Sequence, residues 1–231
     1  TMGDAAPADW TITKIAALGC ATTTVACTAN RKFMFAPSVV NENGVFRVML
    51  GSGDREKPLT SFTSAAGVSN YFFVLEDQPQ DENWLSSESG TCTAGVICMD
   101  SLLAVSAGTP PTSEALALAA KGWYLEMAPT EQVVTSAVTG LGTVIFSTHI
   151  PAVQTPGVCS SLGIAKSYRV NYQQAIATNV EVTGGGLPPS PVIVQIILDD
   201  GTEATVCISC GENRFDVDDP FEVSVLPVQP K

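Results

Sequence analysis

The densest chemistry in the chain lies in L-G-S-G-D-R-E-K-P-L, residues 50–59, where two glycines precede four consecutive charged residues, Asp54, Arg55, Glu56 and Lys57. Paired carboxylates are the machinery of glycoside hydrolysis, so Asp54 and Glu56 are the residues to weigh as an acid and base pair. At i and i+2 on a strand end they would share one face. Arg55 and Lys57 beside them lower carboxylate pKa values and work against a protonated acid. Alternating charge at a strand end commonly forms a solvated ion-pair cluster, and Asp54, Arg55, Glu56 and Lys57 are read as a candidate surface contact. The single histidine, His149, ends the run V-I-F-S-T-H-I-P with no Ser and Asp placed to complete a nucleophilic triad.

Aromatic and acidic residues elsewhere offer less. Trp10 and Trp123 occupy equivalent places in repeated strands and read as packing residues, whereas Trp84, in D-E-N-W-L-S-S, is a candidate exposed contact. Asp216, Asp218 and Asp219 lack the glycine and the distal carboxylate of a calcium loop, so they read as a solvated turn. Asp199 and Asp200 before Gly201 sit between two apolar runs, as a hairpin turn does. The seven cysteines sort by spacing into Cys20 with Cys27, Cys92 with Cys98, and Cys207 with Cys210, leaving Cys159 over. The short loops contain no His, which favours disulfides over zinc and an oxidising compartment. The C-I-S-C pair also fits a redox motif or metal knuckle, but with no second C-x-x-C and no βαβ pattern it is taken as a strand-end disulfide.

These residues must be held by β structure. The 231 residues carry 45% apolar and 15% charged side chains with 19 Gly and 15 Pro, a profile of ordered strands and many turns. The net charge of −12 argues against nucleic acid and anionic lipid as partners. No apolar run approaches the ~18–20 residues of a membrane span, and no basic patch followed by an apolar stretch marks a secretion signal at the start.

Strand signals recur in two sets of like order: residues 33–40, 45–50 and 70–76, then 132–138, 143–148 and 167–172. Each set enters through small residues and valines, crosses a glycine turn, continues as a buried strand and ends in an aromatic alternating strand. A partial third copy follows in P-V-I-V-Q-I-I-L-D-D-G and A-T-V-C-I-S. Residues 9–18, 122–127 and 221–226 are candidate outer strands. Such repetition is how propeller blades read, with an ordinary β-sandwich as the competing architecture. One helix is expected, over residues 112–121, opened by Thr or Ser with an early Glu and stopped at Gly122. Residues 86–100 read as an exposed polar excursion closed by Cys92 and Cys98. Two full units and part of a third fall short of the ~4 blades a ring needs, so residues 1–231 are expected to be the C-terminal portion of an all-β propeller with other blades outside this chain.

Several segments together resemble one family. L-G-S-G-D-R-E-K-P-L, N-Y-F-F-V-L-E-D, K-G-W-Y-L-E-M with E-Q-V-V-T-S, V-I-F-S-T-H-I-P and G-G-G-L-P-P-S-P-V span nearly the whole chain in the order found in the C-terminal propeller of PilY/PilC-type pilus tip proteins. The resemblance implies a secreted, non-enzymatic module at the tip of a type IV pilus, supporting assembly or attachment. Its partners would be minor pilins or the remaining blades of the same precursor, and a host or surface ligand. It also implies calcium, bound through an acidic loop upstream of the G-x-G-D-R-E segment. No matching loop occurs here, so no cofactor is expected in this segment. The competing reading is a propeller enzyme of the quinoprotein dehydrogenase or glycan-active type.

Overall fold

The structure, a computed structural model, describes residues 12–20, 30–57, 59–61, 67–92, 95–153, 157, 162–197 and 201–210. Among the described residues, twelve strands fill three sheets. The first is ordered β1-β2-β3-β5-β4, from Ser38–Glu42 (β1), Val45–Gly51 (β2), Tyr71–Asp77 (β3), Leu103–Val105 (β4) and Gly122–Glu126 (β5). All its pairs are antiparallel except β4 with β5. The second is ordered β10-β9-β8-β6, from Gln132–Val133 (β6), Thr143–Ile150 (β8), Ile164–Asn171 (β9) and Ile176–Val182 (β10), with Val138–Gly140 (β7) also pairing with β8. The third is the hairpin of Val192–Ile197 (β11) and Glu203–Ile208 (β12). Two five-stranded sheets and a two-stranded unit, none closed on itself among the described residues, make an all-β, partial propeller-like fold.

Local sequence explains the hairpins. Two-residue loops join β1 to β2 and β7 to β8, with positive φ at Asn43 (55°) and Gly44 (87°) and at Leu141 (48°) and Gly142 (79°). That is the turn whose twist matches antiparallel strands. The run Y-F-F-V-L in β3 is buried on both faces. Phe72 and Val74 point toward the second sheet, where they join Met49, Trp123, Val144, Phe146, Tyr168 and Val170 in the main core. Phe73 and Leu75 point the other way, onto Leu18, Ile97, Met99 and Leu102. Alternation with period two therefore serves two cores at once. Between the sheets, Phe72 stacks on Phe146 with centroids 3.8 Å apart and planes 3° from parallel, and Phe146 stacks on Tyr168 at 5.1 Å.

Several expectations are corrected. The expected strand over 33–40 begins only at Ser38, and the one over 132–138 is broken into β6 and β7 along one edge of β8. Strands β4 and β10 were not foreseen. In β10 the sequence I-A-T-N-V-E-V leaves most side chains exposed, so apolar periodicity is weak there. The described part of the expected strand 9–18 makes one parallel bridge, Ala16 with Ile97, and Trp10 lies outside the described residues. The helix spans Ser113–Leu118, shorter than expected, with the Thr112 hydroxyl accepting the Ala115 N–H at 3.2 Å.

Residues 86–100 are not a free excursion. Glu88, Cys92, Val96, Ile97, Cys98 and Met99 are buried, because V-I-C-M supplies the cover for the outer face of β3. Cys92 is disulfide-bonded to Cys98 and Cys207 to Cys210; Cys20 is also disulfide-bonded, and Cys27 and Cys159 lie outside the described residues. Among the described residues no helix is long and apolar enough to cross a membrane.

Truncating Phe146 to Ala removes the middle ring of the stack and should cost about 3–5 kcal/mol in chemical denaturation. Leu118→Ala, at an 80% exposed position, should change stability by less than about 0.5 kcal/mol.

Candidate functional site

The segment that follows β2 is a brace between the first two sheets. Gly51 and Gly53 are required by crowding, not by φ: neither has a positive φ. A Cβ at Gly51 would fall within the Val133 side chain, and one at Gly53 would meet the Val133 carbonyl oxygen. Backbone bonds use this close approach, since Val133 N–H donates to the Ser52 carbonyl at 3.0 Å and Gly53 N–H to the Lys32 carbonyl at 2.9 Å. The Asp54 N–H then donates to Oε1 of the fully buried Gln132 at 2.6 Å.

Asp54 and Glu56 do not form a shared carboxylate face. Asp54 is 3% exposed, while Glu56 and Lys57 are exposed. The Asp54 carboxylate accepts Lys32 Nζ at 2.6 Å and the N–H groups of Glu56 (3.1 Å) and Lys57 (3.3 Å). Burial alone would raise its pKa, but the Lys32 bond and these backbone donors outweigh it and hold the group below the usual carboxylate range. Such a group stays ionised and serves as a fixed turn acceptor. Arg55 reaches back across the second sheet, donating to the carbonyl oxygens of Val134 and, at 2.9 Å, Pro188. Of the four charged residues, two are therefore spent inside the structure, and the solvated cluster expected from sequence is reduced to Glu56 and Lys57.

Next to Gln132 lies a charged residue that the sequence reading passed over. Glu131 is 1% exposed, and its carboxylate accepts Thr148 Oγ1 at 2.5 Å, Tyr168 OH at 3.0 Å, Lys166 Nζ at 3.2 Å and the Ala128 N–H at 3.1 Å. Burial and the adjacent carboxylate push the Tyr168 phenol far up, so it remains a hydrogen-bond donor. The Glu131 main-chain carbonyl accepts Asn70 Nδ2, from the residue preceding β3, at 3.3 Å. The signal was present as an isolated Glu entering the apolar run Q-V-V, with Lys166 and Tyr168 two apart on a later strand. His149, opposite Gln132, is 3% exposed and bonds through Nε2 to the Leu162 carbonyl at 2.9 Å, which makes it a packing residue.

Among the described residues, two sizeable grooves bear on the candidate contacts. The larger, about 690 Å³, is lined by Arg47, Glu76, Pro110, Pro111, Tyr172 and Gln173 among others. Arg47 bridges Glu42 and Glu76, and Glu42 also accepts Tyr172 OH at 3.0 Å and Gln173 Nε2 at 2.9 Å. The smaller, about 460 Å³, is lined by Asp77, Gln78, Asp81, Glu82, Trp84 and Leu85 among others. Trp84 is half-buried and not the exposed contact expected, because its indole N–H donates to the Glu76 carbonyl at 3.2 Å and Lys121 Nζ sits 3.4 Å from its ring centroid. Burial raises the Asp77 pKa.

No protein family matches the sequence by its family profile, and no curated protein matches it. Among solved structures, the PilY1 C-terminal domain of Pseudomonas aeruginosa superposes with a TM-score of 0.51 at 10% identity, over 84% of this chain. The chain has a PilY1-like fold. It spans about half of that domain, 47% of its length, in keeping with the two sheets and the two-stranded unit described above.

Replacing Gly53 by Ala should destabilise the protein by about 1–3 kcal/mol, because the new methyl meets main chain that cannot move aside. Asp54 is held below its unfolded pKa, so its contribution is present above about pH 4 and is lost as pH falls through the lower folded value. Asp54→Asn should therefore lower stability at pH 7 and flatten the acid limb of a stability–pH profile. An unchanged acid limb would exclude Asp54 as its source.

Proposed function

We propose that this chain is a propeller segment of a type IV pilus tip protein, a non-enzymatic extracellular module for pilus assembly and surface attachment. The observation that carries the reading is the PilY1-like fold over 84% of the chain. Two further features support it. Two sheets joined by ring stacking and by the Gly51–Arg55 brace make a platform suited to bearing load, and disulfides stiffen its loops as befits an oxidising compartment. The partners are minor pilins or further blades of the same protein, with a host or surface ligand at the far side. No cofactor is assigned to this segment.

Contact falls to the exposed residues that the core does not consume. Asp81 and Glu82 stand exposed on an acidic groove edged by the half-buried Trp84, and Glu56 and Lys57 project from the brace. In a chain of net charge −12 this groove favours a basic segment of a pilin or surface protein. The carboxylates Asp54 and Glu56 diverge in burial, so they do not supply the pair that a glycan-active enzyme needs.

The purified chain should bind sheared pili, or pilin subunits, in a pull-down. An Asp81→Lys, Glu82→Lys double variant, altered only at exposed positions, should weaken that binding at least tenfold while keeping its unfolding transition. Absence of binding, or turnover of a sugar or alcohol panel abolished by Asp54→Asn, would overturn the reading.

A further inference from the structure

Gln132 is fully buried at the junction, and only one end of its amide is used. Its Oε1 accepts the Asp54 N–H, which fixes the orientation of the amide and turns Nε2 the other way. Among the described residues that Nε2 finds no acceptor, an arrangement that is costly for a buried donor. Gln132 borders a small cavity shared with Lys32, Gly53, Asp54, Val68 and Asn70 among others. The room in it for the centre of a water-sized sphere is about 10 Å³. One water requires about 10–15 Å³ by that measure. Asn70, 4% exposed, is oriented in the same way as Gln132. Its Nδ2 donates to the carbonyls of Val68 at 3.4 Å and Glu131 at 3.3 Å, which leaves Oδ1 as the acceptor.

We propose that this cavity is a specific site for one ordered water, which accepts from Gln132 Nε2 and donates to Asn70 Oδ1, with Lys32 Nζ as a further donor at its mouth. The site does not rest on the pilus reading. Donor and acceptor placement selects the occupant. A cation is opposed by the Gln132 Nε2 amide protons and by the Lys32 ammonium, which lies 2.6 Å from Asp54. An anion would meet the Asp54 carboxylate, which Lys32 and two turn amides keep ionised. An organic ligand needs hundreds of cubic ångströms and does not fit. Water both accepts and donates within the available volume, and the three bonds assigned to it are the number such waters commonly make. The consequence is a hydrogen-bonded link from Asn70, next to β3 of the first sheet, to Gln132 in β6 of the second, beside the direct bonds of the brace.

A crystal structure of the intact chain, at a resolution that shows solvent, reads the site directly. The expected result is a single solvent peak within about 2.7–3.2 Å of both Gln132 Nε2 and Asn70 Oδ1. In solution, water-selected NOE and ROE spectra of the isotope-labelled chain should give the Gln132 side-chain amide cross-peaks with the sign of a water that tumbles with the protein. The amide of Gln174, an exposed residue, should show only the sign of bulk water. A protein group bonded to Gln132 Nε2 in place of solvent would overturn the proposal. So would a peak ringed by oxygens at about 2.3–2.6 Å, the spacing of a calcium ion. Bulk-water behaviour of the Gln132 amide would overturn it as well.

Discussion

The close approach of the side-chain-free main chain at Gly51 and Gly53 to Val133 is the constraint on which the first two sheets depend. Where β2 ends, the backbone of residues 51–54 lies directly on Gln132 and Val133, and no residue larger than Gly is accommodated at 51 or 53. The Val133 N–H and the Asp54 N–H are then both satisfied across the junction, which a buried crossing of two chains requires. Packing follows from this placement. With β2 and β6 in contact, Phe72 comes to lie on Phe146, and the apolar side chains of the two sheets close around them.

Charge is organised around the same junction. Asp54 is held by Lys32 and two turn amides on one side of Gln132, and Glu131 by Thr148, Tyr168, Lys166 and Ala128 on the other. Both carboxylates are buried and fully engaged, so each fixes a geometry and neither is available to a substrate. Burying charge in this way contributes little net stability compared with apolar packing, but removing one partner is costly, and it specifies which segments meet. The rigid platform of the proposed pilus module rests on these paired groups, while the residues left for contact lie outside them.

Much of the fold was legible in the sequence. β2, β3, β5, β11 and β12 could be placed from β-branched or aromatic runs bounded by turn residues, and the turns N-G and L-G marked two hairpins. The pairing of Cys92 with Cys98 and of Cys207 with Cys210 followed from spacing alone. β10 was hidden because an outer strand with an exposed face lacks apolar periodicity, and β4 because three residues carry too short a pattern. The candidate site was less legible. Charge in D-R-E-K looked solvated, yet burial depends on which distant segment arrives, and the arrival of Gln132 and Val134 some 80 positions later leaves no local mark. The glycines of G-S-G were visible, but their reason was a neighbour and not a turn.

Amide hydrogen exchange tests the central claim, that the junction makes the first two sheets one cooperative unit, most directly. The amides of Asp54 and Val133 should exchange only through global unfolding, with the same opening free energy and denaturant dependence as the core amides of β3 and β8. Exchange of these two amides by local opening, while β3 and β8 stay protected, would show two sheets merely lying side by side and would contradict the account.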